Sequence, residues 1–324
     1  MPQDEVPAAL QGAFFLAGPT AVGKTDVALA VAEACGGEIV GADAFQVYRG
    51  LDLLTAKPSP EALARVPHHL VGTVPLEASF DVARYREAAL AAIAGIRARG
   101  RLAIVAGGTG LYFRALTRGL ADLPSASPEL REELNALSLP EALARLEGVD
   151  PQAAARVDRR NPRRVIRALE VCLATGQPFS SFRHEWEQAP TFHGVLLERS
   201  REELSARIDR RTAGLFAAGV VEEVRAAVEA GGVGPTARQA IGWREITALL
   251  RGECTQAEAV AAIAQATRRY AKRQRTWFRR EPMFVPVGLS DAPGALAQVL
   301  ARAAAVPRAG GEEGEPRRRG EAER

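Results

Sequence analysis

Long apolar runs, paired cysteines and lysine are scarce in this chain of 324 residues. No stretch of about 18 uncharged apolar residues occurs, which predicts no membrane span. The opening MPQDEVPAALQG is acidic ahead of its first apolar run and carries no basic segment, so it does not read as a signal peptide. Cys35, Cys172 and Cys254 are scattered and form no C-x-x-C pair. That argues against a disulfide framework or a cysteine zinc site and fits a cytoplasmic protein. Aromatics make up only 6% of the chain, so a core must come from Ala, Leu, Val and Ile. There is no H-E-x-x-H, no G-x-S-x-G and no EF-hand loop, which removes the common zinc peptidase, serine hydrolase and calcium-sensor readings. His68 and His69 follow Pro67 in an expected loop, with no further His or Cys nearby in sequence, and make poor metal candidates. No apolar strand ends in a Walker B aspartate unless Asp43 plays that part, which weakens a motor ATPase reading.

The formal net charge of +3 does not by itself imply nucleic acid. The kind of positive charge says more. Lysine occurs only at Lys24, Lys57 and Lys272; every other basic side chain is arginine. In such a chain a lysine can mark a place where a compact point charge is needed. Lys24 stands in GPTAVGKT, which runs from Gly18 through Pro19, Thr20, Ala21, Val22 and Gly23 to Thr25 and satisfies the phosphate-binding loop pattern G-x-x-x-x-G-K-[ST]. Its context is right: AFFLA before it reads as a buried strand, and KTDVALAVAEAC after it as a helix. Backbone N–H groups of such a turn converge on phosphate oxygens at a helix N-terminus. Lys24 would reach the terminal phosphates, and the Thr25 hydroxyl would ligate Mg²⁺.

Further strands are expected at GGEIVGAD, with Asp43 at its exit, and at RLAIVAGGTG. A long amphipathic helix lies between them, capped by Asp81 and stopped at Gly100. Alternating buried strands and helices predict an α/β fold, a P-loop NTPase-like parallel sheet core. After Gly119 the texture changes, and about Glu129 to Thr175 reads as helical with no good strand. The expected organisation is therefore a first core segment at 1–119, an all-helical insertion at 120–185 and a second core segment at 186–306. The Gly-, Pro-, Glu- and Arg-rich tail at 307–324 lacks an apolar anchor and reads as disordered.

Asp43, at a strand's carboxyl end beside the loop, could be a metal ligand, a general base or the cap of the following turn. The GGTG turn at Gly107–Gly110 opens a helix; it either presents N–H groups to a ligand or is a tight connection. Two arginine clusters stand apart. DRRNPRRVIRALE carries Arg163, Arg164 and Arg167 around Val165 and Ile166, and ATRRYAKRQRTWFRR interleaves arginines with Tyr270, Trp277 and Phe278. Arginine stripes with aromatics suit a phosphodiester backbone and unstacked bases, and also suit a solvated helix face.

In order, GPTAVGKT, DAFQVYRGLDLLTAKP, PHHL, GGTGLYFRAL, RQAIGWRE and AKRQRTWFR resemble the bacterial tRNA dimethylallyltransferase family, over roughly Phe14 to Arg280. The resemblance implies transfer of a dimethylallyl group from dimethylallyl diphosphate to N6 of adenosine 37, in the anticodon stem-loop of tRNAs reading codons that begin with U. It implies Asp43 as base and Thr109 near the base of the substrate. The whole loop, with Arg207 and Arg211, would hold the diphosphate and Mg²⁺. It implies tRNA contacts from Asp43, Ala44, Phe45 and Gln46, from Arg131, from Arg163 to Arg167, and from Gln239, Ala240, Ile241, Gly242, Trp243 and Arg244. Ala44 departs from the family's usual Ser, which bears on a hydroxyl at that position and not on Asp43. A monomer is expected, since one chain can supply both sites. The rival expectation is a P-loop kinase acting on a small molecule or nucleotide; a third is an RNA-binding module with a vestigial loop, against which the intact Lys24 and Thr25 argue.

Overall fold

A sheet of six parallel strands runs in the order β3-β2-β4-β1-β5-β6. The strands are β1 (Ala13–Ala17), β2 (Gly37–Ala42), β3 (His68–His69), β4 (Leu102–Gly107), β5 (Gly194–Glu198) and β6 (Val285–Gly288). The computed structural model describes residues 8–120, 123, 126–182, 192–290 and 292–307. The tail expected to be disordered lies outside the described residues beyond 307.

The helices are α1 (Lys24–Cys35), α2 (Pro60–Arg65), α3 (Val82–Ala98), α4 (Gly110–Arg118), α5 (Pro128–Asn135), α6 (Leu139–Val149), α7 (Pro151–Arg156), α8 (Pro162–Thr175), α9 (Arg201–Ala217), α10 (Val220–Ala230), α11 (Trp243–Leu250), α12 (Gln256–Phe278) and α13 (Ala292–Ala304). Every side chain of β1 is buried, because helices cover both faces of the sheet. Alternate residues feed two cores. Phe14 and Leu16 join the layer that includes Val31, Ile208 and Val299, while Phe15 and Ala17 join Tyr85, Ile93 and Phe113. Asp81 caps α3 as expected, accepting from the amides of Ala83 and Arg84 at 3.0 Å each.

The chain divides into two compact units, one of residues 1–117 with 189–324 and one from Arg118 to Gln188. In the second, α5 to α8 surround Leu134, Leu146, Val165 and Leu169. The local sequence explains the breaks. Ser127, Ser138 and Asp150 each accept an N-cap hydrogen bond, and Pro follows within two residues, where its missing N–H costs nothing.

Three details differ from the sequence reading. His68 and His69 form a two-residue edge strand instead of a loop, because their backbone pairs with Ile39 and Val40. Residues 201–230, whose sequence reads as one helical stretch, form two helices broken at Gly219, whose φ of 95° no β-carbon favours. Residues 292–304, for which no element was expected, form α13, which supplies Val299 and Ala303 to the core.

Candidate active site

Register decides what meets at the sheet's carboxyl edge. Ala17, the last residue of β1, pairs with Gly107 of β4, and Gly107 pairs with Ala42 of β2. Three strands thus end abreast, and the residues that follow them, Gly18, Asp43 and Gly108, emerge side by side. This is the crevice where open α/β sheets hold ligands.

The phosphate loop is braced from outside. The Lys24 ammonium donates to the carbonyls of Gly18 at 3.0 Å and Pro19 at 2.9 Å. Arg207 of α9 donates to the Ala21 carbonyl at 2.7 Å, and Arg199, just after β5, to that of Val22 at 3.0 Å. Arg211 donates to the Thr20 hydroxyl at 2.9 Å. With these carbonyls tied to cations, the amides at the start of α1 are left to face an anion. Gly23 takes φ 109° as the residue before α1, and Ala21 takes φ 64° despite its β-carbon, local strain of the kind found at ligand-holding turns. Burial pulls the Lys24 pKa down to about 8; the Asp43 carboxylate offsets part of this, and the Arg211 charge lowers it further. Burial also lowers the Arg211 pKa, with Asp43 again opposing. Cations crowded out of water and held near one carboxylate form a site that an anion stabilises.

Asp43 is half-buried, and its two oxygens differ. Oδ1 accepts from the amides of Phe45 at 2.9 Å and Gln46 at 3.3 Å, so the capping reading holds for that atom. Oδ2 has no hydrogen-bond partner among the described residues. Thr109 is fixed against the same turn: its Oγ1 accepts from the Ala44 amide at 3.1 Å, and its own amide donates to Ala42 at 3.1 Å.

The GGTG turn proves to be a packing device. A β-carbon on Gly107 would lie 2.1 Å from the Ala42 carbonyl oxygen, one on Gly108 would lie 2.2 Å from Gln274 Nε2, and one on Gly110 would lie 2.3 Å from the Trp277 ring. Replacing Gly108 by Ala is expected to cost about 1–3 kcal/mol through overpacking. The check is a lower melting midpoint together with lost activity, and an unchanged midpoint would contradict this account of the turn.

Two cavities meet at Asp43. A polar cleft of about 500 Å³ is lined by Gly23, Lys24, Thr25, Asp43, Arg207 and Arg211, among others. A more apolar pocket is lined by Thr20, Asp43, Arg211 and Tyr270 together with Leu54, Phe216, Ile241 and Ile263. Phe45, Ala240 and Ile241, assigned to tRNA contact by resemblance, line this pocket. Gln46 instead holds its own loop, donating to the carbonyls of Thr55 and Ala56 at 3.2 and 2.8 Å. Gly242 and Trp243 are buried, while Gln239 and Arg244 are exposed.

In the helical unit, Arg131 of α5 and Arg167 of α8 both pair with buried Glu170, at 3.2 and 3.3 Å. Arg163 and Arg164 are exposed, Ile166 is half-buried, and Val165 belongs to that unit's core.

Sequence reasoning missed Arg199 and Gln274. Arg199 carries no motif. Gln274 was hidden inside an arginine-rich run, although a buried polar residue on the apolar face of a helix is a readable signal.

This arrangement defines the class: an α/β protein with a P-loop-like core whose loop stands beside a carboxylate at the sheet's carboxyl edge. Comparison with known proteins gives the family. The profile of the family described as IPP transferase matches residues 46–281. tRNA dimethylallyltransferase 1 of Citrifermentans bemidjiense is 48% identical over 88% of this chain and 94% of that protein. tRNA dimethylallyltransferase of Myxococcus xanthus is 48% identical over 82% of this chain and 89% of its own. The solved structure of the full-length tRNA isopentenylpyrophosphate transferase from Bacillus halodurans superposes with a TM-score of 0.66 at 34% identity, covering 89% of this chain and 94% of that one. The chain belongs to the IPP transferase family.

Proposed function

We propose that the chain transfers a dimethylallyl group from dimethylallyl diphosphate to N6 of adenosine 37, in tRNAs reading codons that begin with U. The observation that carries this reading is a phosphate-binding loop meeting, beside an apolar pocket, a carboxylate oxygen that has no hydrogen-bond partner among the described residues. The names of the relatives point the same way.

In this reading the diphosphate lies in the cleft, with the dimethylallyl chain and the adenine in the apolar pocket. Adenosine 37 must leave its stacked loop to get there. Its exocyclic amine is a poor nucleophile, because the lone pair is delocalised into the ring. Asp43 Oδ2 accepts one N6 hydrogen and aims the lone pair at the donor's C1. The C1–O bond breaks as the C1–N6 bond forms, and the bonding pair leaves on the diphosphate. Lys24, Arg207 and Arg211 receive that growing charge, and Asp43 takes the N6 proton and passes it to water.

The residues fit a Mg²⁺ ion. Thr25 is exposed and lines the cleft with Asp43, so one hydroxyl and one carboxylate are on hand as oxygen ligands. Such a donor set suits an ion that takes most of its oxygens from phosphates and water. When bound, it would neutralise charge on the leaving diphosphate.

The deciding experiment incubates the protein with unmodified tRNA and dimethylallyl diphosphate, then weighs the nucleosides. The expected product is adenosine heavier by one five-carbon unit. No added mass, with label passing from γ-labelled ATP to an acceptor instead, would establish the kinase reading. The exposed Arg163 and Arg164 meet tRNA phosphates in this reading, and the chain acts as a monomer. Affinity for tRNA is then expected to fall linearly on a log–log plot against salt, by about 0.7–0.9 per phosphate contact. The Arg163→Gln, Arg164→Gln double variant should flatten that slope; an unchanged slope would remove these arginines from the interface.

A further inference from the structure

Gln274 bridges the phosphate loop and the GGTG turn. It is 5% exposed, on the face of α12 that packs against the sheet's carboxyl edge. Its Oε1 accepts from the Thr20 amide of the phosphate loop at 2.8 Å. Its Nε2 donates to the Gly108 carbonyl at 2.8 Å. One amide therefore spans 254 positions in sequence to the phosphate loop and 166 to the GGTG turn. The next residue after Gly108 is Thr109, whose hydroxyl holds the Ala44 amide beside Asp43. A chain of bonds thus runs from the loop that would hold the leaving group, through Gln274, to the turn that holds the base.

The amide donates from one atom and accepts at another without carrying charge. A carboxylate would keep the bond to Thr20 and lose the one to Gly108. A thioether would lose both and leave two buried backbone groups unpaired. The space is matched to the amide, since no β-carbon fits at Gly108 beside it. Tyr270, one turn earlier on α12, continues the contact. Burial, reinforced by the Asp43 charge, pushes its hydroxyl pKa up, and its neighbours Thr109, Arg273 and Gln274 offset only part. The arginines of α12 suit RNA or a solvated helix face by sequence; Gln274 is buried between Arg273 and Arg275.

We infer that Gln274 is a positioning residue: it sets the distance between the carbon attached to the diphosphate and the base that aims the attacking amine. This rests on the prenyl-transfer reading above. Such a residue need not change how tightly either substrate binds. It changes how often the bound pair is aligned, and misalignment by about an ångström can cost on the order of 10²-fold.

The test compares wild type, Gln274→Met and Gln274→Glu in single-turnover prenyl transfer, normalised to the sites that bind tRNA. Binding of inorganic diphosphate and of tRNA is measured separately on each protein. The expected result is a fall in the rate per site of about 10–10²-fold for Met, with both dissociation constants within about threefold of wild type. Glu is expected to be slowed as well, because it cannot donate to Gly108, and it provides the answer if the Met variant does not fold. A role in mere folding would lower the number of binding sites and leave the rate per site unchanged, and that outcome overturns the inference. So does a diphosphate affinity that weakens as much as the rate falls, which would make Gln274 a prop for the loop alone. A Thr109→Val change combined with Gln274→Met should cost less than the product of the two single effects, because both interrupt one path; a full product would count against the shared path. Wild type that binds diphosphate and tRNA but adds no five-carbon group would instead refute the prenyl-transfer reading itself.

Discussion

Asp43→Asn is expected to slow transfer by about 10²–10⁴-fold, the usual worth of a positioned general base, while tRNA affinity stays within about twofold. The substitution is chosen for what it keeps. Asparagine can still present an acceptor to the amides of Phe45 and Gln46, so the turn that Oδ1 caps survives. What goes is the charge and the ability to take a proton at the second oxygen. Asp43→Ala removes both functions and should add a stability loss from the uncapped turn, of about 0.5–2 kcal/mol. The two variants together separate chemistry from architecture. Single-turnover rates and tRNA binding on the same preparations decide the matter. If Asn loses binding and rate in equal measure, Asp43 is a structural cap and the base lies elsewhere. The carboxylate also supports Lys24, whose pKa it helps hold up at about 8. Asn should therefore move donor binding to a lower pH limit, a shift that a simple loss of the base would not produce.

How much of this site is legible in the sequence depends on the range of the interaction. The loop from Gly18 to Thr25 is a local motif, and its strand and helix are fixed by composition and a glycine whose φ is positive. Asp43 is legible because a short apolar strand ends immediately before it. That Asp43 faces the loop follows from parallel pairing, which the sequence implies and the register of Ala17, Ala42 and Gly107 makes definite. The glycines of GGTG were legible as a turn, but their reason is not local. Each is small because something distant in sequence approaches it, and Trp277 and Gln274 lie more than a hundred residues away. Arg199 bonds Val22 across 177 residues with no pattern to announce it. The helical unit shows the other extreme: Ser-Pro, Asp-Pro and Asn-Pro pairs mark three helix starts in print, yet the pairing of Arg131 and Arg167 through Glu170 needs the fold.

Removing the lysine of the loop is expected to lower kcat/KM for the donor by about 10²–10³-fold, the worth of one preorganised donor to developing negative charge. Lys24→Met is preferred to Lys24→Arg, because Met preserves length without charge, whereas guanidinium cannot fold back onto the carbonyls of Gly18 and Pro19 in the same space. The same residue carries a pH signature. In the free protein Lys24 loses its proton around pH 8, while a bound diphosphate favours the charged form and raises its pKa. Below pH 8 the site is already charged and binding takes up no proton there. Above pH 8 the free lysine is neutral, so each binding event must draw a proton from solution and affinity falls as pH rises. The slope approaches tenfold per pH unit until the pKa of the bound state is reached. Calorimetry in two buffers of different ionisation enthalpy should detect about one proton taken up at pH 9 and far fewer at pH 7. The donor ionises identically in both experiments, so Lys24→Met is the control and should lose this component of the pH dependence. An affinity that declines equally in wild type and variant would assign the titration to the donor. It would also mean that the lysine in the loop is fully charged before any phosphate arrives, contrary to the effect that burial has on it.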